Sequence, residues 1–350
     1  RWVWTPEDTV RERAHRDRAP YDVWVDQGHL LTTEGVRISH RVIREVLVEQ
    51  RARFKIEQVG FDPWHADQVM DDHRLLQAAK ARGHTAELYN IRDISMVLST
   101  EKPMIYWRDK NITKAFDAII PRLNVNFTDY GTNVLQQFIC SQTYVSESPA
   151  ALRLGRDKLK CLQYLLARGL PFPATGIAYN PQGFRELANV IGLPMIIKLI
   201  ESTEGTGIFL VHSVKEMDNI VKTFSKLGAS YIIQRFVKEA SGTDIRAFVV
   251  GGKVVASMRR RSQDGDFRSN VSLGGHSEPY QLSADEEEMV LSATASIGMN
   301  VAGVDFVRSD EGPLLLEINV SPDFTGEQGI ESITGVDIAG DIIDYAVSQV

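Results

Sequence analysis

Between residues 170 and 350 the apolar positions switch between a spacing of three or four and short continuous runs. The first spacing predicts helices with one apolar face, and the runs predict buried strands. "PQGFRELANVIG", "VKEMDNIVKTFSKLG", "SADEEEMVLSATASIGM" and "DIAGDIIDYAVSQV" read as helices. The third of these opens on acidic residues, as a helix start favours. "LPMIIKLIE", "GIFLV", "SYIIQRFV", "VAGVDFVR" and "PLLLEINV" read as strands, and "IRAFVVGGKVVASMRRR" as two strands turning at Gly251-Gly252. Hairpins mixed with helices predict an α+β half.

Upstream, "ALRLGRDKLKCLQYLLARG" predicts one helix stopped at Gly169, followed by an extended "LPFPATGIA". From Lys55 onward, "KIEQVGF", "TAELYNI" and "FDAIIPRLNV" are strand candidates, with "ADQVMDDHRLLQAAKARGH" and "YGTNVLQQFICSQ" as helices. Strands alternating with helices predict a small parallel α/β domain. The first stretch is charged, with Trp2, Trp4 and Trp24 among arginines and "HRVIREVLVEQRARF" as an amphipathic helix. The expected organisation is an N-terminal extension over 1–54, a parallel α/β domain over 55–150 and an α+β domain over 151–350.

Composition narrows the class without naming it. Of 350 residues, 43% are hydrophobic and 24% charged, values ordinary for a globular protein in water. The net charge of −7 argues against non-specific nucleic-acid binding. Two cysteines, Cys140 and Cys161, leave no readable disulfide framework or cysteine zinc site, which points to a reducing cytoplasm. No stretch reaches the roughly 18 consecutive apolar residues of a membrane helix, and the N-terminal residues lack an apolar signal-peptide core.

Candidate chemistry begins where the strands break their own pattern. In "LLLEINVSPDF" a leucine run delivers Glu317 and then Asn319, two residues apart and so on one face of a strand. Asp305 interrupts the preceding apolar strand, and a hairpin around "RSDEGP" would bring all three together. Two carboxylates and an amide oxygen are hard ligands suited to Mg²⁺ or Mn²⁺; the competing reading is strand-end polarity facing water. In "IIKLIESTEGTGIFLV", Lys198 protrudes from an apolar strand before a loop loosened by Gly205 and Gly207. Such a loop either wraps phosphates with its N–H groups or is a plain hairpin. Lys158, Arg246, Arg260 and Arg268 add cations of the kind phosphoryl transfer needs, although the "RRR" run also suits a solvated strand face.

These pieces occur in one order: lysine, lysine with glycine loop, "QRFVKEASGTDIR", "GDFRSN", "GVDF", "LEINVSP". That order resembles the ATP-grasp superfamily, and the wording of the segments over about 72–350 resembles the RimK-type glutamate ligases. The resemblance implies a parallel α/β pre-ATP-grasp domain followed by two α+β lobes that hold ATP between them. It implies Lys158 and Lys198 on the ATP phosphates, Arg235 and Phe236 as the adenine hinge through backbone atoms, and Asp244 on the ribose. Arg268, Ser269 and Asn270 would lie by the phosphates, with Asn270 near the reacting centre. Arg246 and Arg260 would stabilise the transferred phosphoryl group, while Asp305, Glu317 and Asn319 would hold two Mg²⁺ or Mn²⁺ ions. The implied reaction is phosphorylation of a carboxylate to an acyl-phosphate, followed by attack of an amine. The implied partners are L-glutamate and a protein or peptide acceptor with an acidic C-terminal tail, such as a small-subunit ribosomal protein. Homo-oligomerisation is left open.

Three departures qualify that expectation. Arg235 stands where the hinge usually has Glu, and "SPDFTGEQGIESITG" is longer than the usual loop after the metal strand. Residues 1–70 instead resemble a fragment of a phage terminase nuclease domain, of whose acidic ligands only Asp62 matches. The alternatives are therefore a ligase for another amino acid or a small-molecule acceptor, a remnant metal-dependent nuclease, or an ATP-binding module without turnover.

Overall fold

Local capping residues set the boundaries of most elements, and they break two that periodicity had joined. In the computed structural model the described residues are 4–6, 10–11, 21–26, 31–33, 63–200, 207–262, 267 and 275–350. The chain divides into two compact units, 1–62 and 63–350. In the first, strand β1 (Trp4–Pro6) pairs in parallel with β2 (Leu31–Thr33), and helix α1 (Tyr21–Asp26) carries an edge-on Tyr21–Trp24 contact at 5.6 Å. The helix expected over 40–54, the strand "KIEQVGF" and Asp62 lie outside the described residues.

The second unit opens with α2 (Pro63–Ala81). The strand expected over 85–91 is absent: residues 84–90 form no element and lead into a 3₁₀ turn at Ile91–Asp93. Asn90 caps that turn by accepting from the Arg92 N–H, a local bond that competes with ladder pairing. Antiparallel β3 (Ile94–Val97), β4 (Met104–Trp107) and β5 (Lys110–Asn111) follow, where only parallel pairing had been expected. Among the described residues of this region, parallel pairing is confined to β6 (Ala118–Ile119) and β7 (Tyr144–Val145), with α3 (Thr128–Cys140) between them. The strand expected over 116–125 shrinks to β6, since Pro121 has no N–H to give a ladder.

The single helix expected up to Gly169 is two, α4 (Pro149–Arg156) and α5 (Lys158–Ala167). Asp157 leaves helical geometry at ψ 97° and caps the second helix by accepting from the Lys160 N–H at 3.0 Å. The break turns Lys158 into the first residue of a new helix.

Two antiparallel sheets carry the rest. The smaller has the order β10-β9-β11-β8, with β8 Thr175–Gly176, β9 Met195–Leu199, β10 Ile208–Val211 and β11 Tyr231–Arg235. Helices α6 (Pro181–Ile191) and α7 (Val214–Lys226) cover one face through Phe184, Met217, Val221, Met195, Ile197 and Ile233. The larger has the order β14-β13-β12-β15-β16. Its strands are β12 (Thr243–Val250), β13 (Lys253–Arg261), β14 (His276–Pro279), β15 (Val301–Ser309) and β16 (Gly312–Asn319). Strand β14 and the short helix α9 (Ile330–Thr334) had no sequence signal.

Alternation along β12 explains how the large sheet serves both core and site. Ile245, Ala247 and Val249 face α8 (Ala284–Ile297) and its Met289, Val290 and Ala293. The opposite face reads Asp244, Arg246, Phe248, Val250, polar at one end and apolar at the other. Phe248 and Val250 are covered by α10 (Ile338–Val347), against which Leu75, Ala78 and Ala79 of α2 also pack. Asp244 and Arg246 are left for other partners. No helix among the described residues is long and apolar enough to cross a membrane.

Two buried carboxylates from the N-terminal segment hold the ends of β15 and β16. Glu147 accepts from the N–H groups of Asn300 at 3.0 Å and Val301 at 2.7 Å, where β15 begins. Asp71, fully buried, accepts from the Thr325 N–H at 3.0 Å, the Thr325 hydroxyl and the Arg122 guanidinium at 2.5 Å, just beyond β16. Burial pushes the Glu147 carboxyl up to about 8, against the two N–H groups that favour its anion. A folded value above the ordinary 4.5 means that the native state keeps a proton the unfolded chain gives up. Its stabilisation is complete below 4.5 and lost as pH rises through about 8. In urea unfolding, the parent should therefore lose stability relative to Glu147→Gln across that window; a difference constant with pH would rule this out.

Candidate active site

Register alone assembles most of the site. Arg246 on β12 lies opposite Asp305 on β15, and Asp305 lies opposite Glu317 on β16. Asp244 lies opposite Arg260 on β13, and Asn319 opposite Gly303. A β-bulge between Asp305 and Phe306 makes Glu317 the partner of Asp305 while Leu315 pairs with Phe306 in the core. The bulge re-aims the strand between its leucines and its carboxylate, a common device beside active sites. At Gly303 an added Cβ would lie 2.9 Å from Pro322, so glycine lets the chain after Asn319 fold back over β15.

Arg246, Arg260, Asp244 and Asp305 form a lattice of ion pairs. Arg246 binds Asp305 through two parallel bonds, both 2.8 Å. Arg260 binds Asp244 the same way at 2.7 and 2.5 Å and reaches Asp305 at 2.9 Å. Asn319 adds an amide donor to Asp305 at 3.2 Å. Asp244, Arg260 and Asp305 are all buried. Burial opposes the charge on Asp305, but the Arg246 and Arg260 guanidiniums overcome it and hold the carboxyl well below the ordinary carboxylate range. Arg260 is likewise held far above its ordinary value by Asp244 and Asp305, in spite of burial.

The small sheet supplies the opposite wall. Lys198 sits on β9 between Ile208 and Ile232 and feels the fields of Glu317, Asp305 and Asp244 as well as Lys158. Burial, with Lys158 alongside, pulls the Lys198 ammonium below its ordinary value against those three carboxylates. Lys158 donates to the Ile200 carbonyl at 3.2 Å, tying the start of α5 to the end of β9. Cys161 on α5 feels Glu317 too; burial above all pushes its thiol up to about 12, so it stays a protonated packing group. After the glycine loop, Gly207 has φ +71° and its carbonyl accepts from the Leu199 N–H at 3.1 Å. An added Cβ there would meet the Leu199 side chain at 2.5 Å, so both backbone angle and space require glycine.

Between the two sheets, the Arg235 N–H bonds the Ala174 carbonyl at 2.8 Å and the Phe236 N–H reaches the Pro194 carbonyl at 3.4 Å. The Phe236 ring meets Phe267 edge-on at 6.2 Å, and the Gly242 N–H bonds the Phe267 carbonyl at 3.1 Å. Arg268, Ser269 and Asn270 follow Phe267 directly in sequence. These three residues and Gly205 lie outside the described residues.

The structure therefore brings together Lys158, Lys198, Asp244, Arg246, Arg260, Asp305, Glu317 and Asn319. However, Asp305, expected on the metal, has both oxygens engaged by Arg246, with Arg260 and Asn319 also on one of them. Two further residues differ from their expected roles. Asp244, expected at the ribose, has both oxygens on Arg260, and Arg260, expected at the phosphoryl group, is buried between two aspartates. Neighbouring residues that sequence reasoning missed are Asp71, Arg122 and Arg156, which surround Ser321–Thr325. Each is a charged residue in an otherwise helical or apolar stretch, a signal too common to single them out.

The donor set fits a hard divalent cation. Glu317 and Asn319 present oxygens two residues apart on one strand, with Asp305 opposite Glu317. Among the described residues no trio of His, Cys, Asp or Glu forms a metal cage. Mg²⁺ is ordinarily bound by one or two carboxylates together with phosphates rather than by the protein alone.

Comparison with known proteins agrees with this architecture. The RimK PreATP-grasp domain family matches residues 65–152 and the RimK-like ATP-grasp domain family matches residues 155–346. The terminase-like reading of residues 1–70 is not borne out by these matches, which begin at residue 65. A probable alpha-L-glutamate ligase of Thioalkalivibrio sulfidiphilus is 42% identical over 273 residues, 78% of this chain and 89% of that protein. Among solved structures, the ATP-grasp ligase PsnB with a minimal precursor superposes with TM-score 0.63 at 20% identity, covering 80% of this chain and 96% of that one. A RimK domain ATP-grasp protein from Sphaerobacter thermophilus gives 0.60 at 21%, covering 79% and 95%. With the facing sheets, the two lysines and the clustered Asp305, Glu317 and Asn319 in place, the chain belongs to the RimK-like ATP-grasp family of ADP-forming, amide-bond-making ligases that use ATP and Mg²⁺.

Proposed function

We propose that this protein adds L-glutamate to the C-terminal carboxylate of a protein or peptide with an acidic tail. The observation that carries this reading is the Arg246–Asp305–Glu317 row on one sheet, faced by Lys198 on the other. The ATP phosphates and a carboxylate acceptor need charge neutralisation and positioning rather than a protein nucleophile. Lys158 and Lys198 would neutralise the phosphates. Glu317 and Asn319, with Asp305 behind them, would hold Mg²⁺ against those phosphates. Mn²⁺ suits the same oxygens, and two ions are expected. The bound cation lowers repulsion between the phosphates and the incoming carboxylate.

In the chemical sequence, an oxygen of the acceptor carboxylate attacks the γ-phosphorus, ADP leaves, and an acyl-phosphate forms. The glutamate amine then attacks the acyl carbon, phosphate leaves with the bonding electrons, and a proton is lost from nitrogen to give the amide. Arg246, partly exposed at the edge of the lattice, faces the transferred phosphoryl group. Arg260 contributes by positioning, since it fixes both Asp244 and Asp305. The choice of glutamate rests on the relatives' shared description as probable alpha-L-glutamate ligases. Another amino acid or a small acceptor would use the same charge lattice, so the substrate must be read directly.

A synthetic peptide ending in two glutamates, incubated with ATP, Mg²⁺ and a mixture of amino acids, should gain glutamyl increments by mass spectrometry. Increments of any other residue would replace glutamate in this reading. Glu317→Ala should lower ADP release by roughly 100- to 1000-fold, the usual effect of removing one charge-stabilising group; full turnover in that variant would refute the site. Lys198→Met should raise the KM for ATP about 10- to 100-fold, as expected for a lost bond to a charged group, without changing the melting temperature.

A further inference from the structure

Arg156 ends α4 at the point where three segments meet. A Cβ added to Gly155 would collide with the Val320 side chain, so the end of α4 lies directly on the chain leaving β16. Val320 follows Asn319, and the Arg156 guanidinium lies 3.4 Å from the hydroxyl of the next residue, Ser321. The same nitrogen donates to the Leu123 carbonyl. Arg156 is thus a charge beside the reaction centre, yet on neither of the two sheets that form the lattice.

Its surroundings leave that charge under-compensated. Among the described residues no carboxylate comes within ion-pair reach of Arg156. The nearby acids are engaged elsewhere: Asp71 binds Arg122 at 2.5 Å and Asp323 lies 3.6 Å from the same arginine. Burial, and then the like charge of Arg122, pull the Arg156 guanidinium down to about 10 against the partial opposing field of Asp323, which still leaves it protonated at neutral pH. Arg156 is half-buried; one carbonyl and one hydroxyl are weak compensation for a partly desolvated cation, and such a charge ordinarily carries a partner. A guanidinium in this state is preorganised to take a carboxylate through two parallel bonds.

We propose that Arg156 is a substrate-carboxylate site, completed when an anionic group of a substrate docks between α4, Leu123 and Ser321. The assignment rests on the ligase reading above, in which both substrates are carboxylates. The bound group is either a carboxylate of the incoming amino acid that does not react or one from the acidic tail of the acceptor. A purely structural Arg156 would need only its carbonyl and hydroxyl contacts, and substrate affinity would not follow its charge.

The test compares the parent with Arg156→Met and Arg156→Lys. ADP release is followed while ATP, L-glutamate and a synthetic peptide ending in two glutamates are varied in turn. Equilibrium binding of L-glutamate, L-glutamine and the peptide is measured alongside. Arg156→Met should weaken one carboxylate substrate about 10- to 100-fold in both KM and Kd, with the KM for ATP and the melting temperature unchanged. Arg156→Lys should recover part of the loss, because it keeps charge without the fork. Loss confined to glutamate, with discrimination over glutamine reduced, assigns the group to the amino acid; loss confined to the peptide assigns it to the acceptor tail. Unchanged affinities overturn the proposal, as does a KM for ATP that rises in step with the other two. If Arg156→Met does not fold, Arg156→Lys is read alone and must still weaken one of the two. If the parent releases no ADP, the ligase reading fails, while the binding measurements still decide Arg156; no binding of either carboxylate to the parent would sink it.

Discussion

Four charges on neighbouring strands, three of them buried, set the terms for the rest of the molecule. Arg246, Asp305, Arg260 and Asp244 neutralise one another through five nitrogen–oxygen contacts between 2.5 and 2.9 Å. Removing one partner from such a group typically costs about 3–5 kcal/mol, because an uncompensated buried charge remains. Three strands must therefore stay in one register, since a slip of one residue would send every member to the opposite face. Stability favours the arrangement weakly, because apolar residues of equal size would pack as well. What the lattice supplies is a fixed position for Asp305, and with it the side of the sheet on which Glu317 and Asn319 stand.

The lattice is also neutral as a whole, which decides where a polyanion can be met. Two arginines are balanced by two aspartates, while Lys198 on β9 and Lys158 on α5 lie opposite with no such lattice around them. Those two repel each other, and burial lowers Lys198 further. The approach of phosphate would relieve both effects. The site therefore has one neutral, paired side and one cationic side carried by β9 and α5.

Around that site the chain from α2 to Glu147 acts as a frame. Glu147 holds the first residues of β15, and Asp71 with Arg122 holds the chain just after β16. Salt bridges from Arg74 and Arg82 to Glu331, Asp337 and Asp344 join α2 to α9 and α10 around the same end of the large sheet. These surface pairs are individually weak; the buried carboxylates do more. The β15–β16 hairpin is thereby held at its open end, beside Glu317 and Asn319, by residues more than 150 positions away in sequence.

Much of this was legible in the chain itself. The α+β half, its hairpins and the outlying Asp305, Glu317 and Asn319 follow from periodicity, because side-chain direction in a strand or helix depends only on local backbone geometry. Asp157 as a cap and Pro121 as a ladder breaker were also present, but outweighed by the longer periodic run around them. Other features depend on partners distant in sequence. The bulge that separates Leu315 from Glu317 exists only in the pairing with β15. The commitment of Arg260 to Asp244 requires two strands in register, and the isolation of Arg156 depends on where Asp71 and Asp323 turn. The sequence by itself determined which residues carry charge and which strands they ride on. Tertiary structure alone decided which charges cancel and which remain for a ligand, because Coulomb and desolvation energies depend on distances and burial that local pattern does not contain.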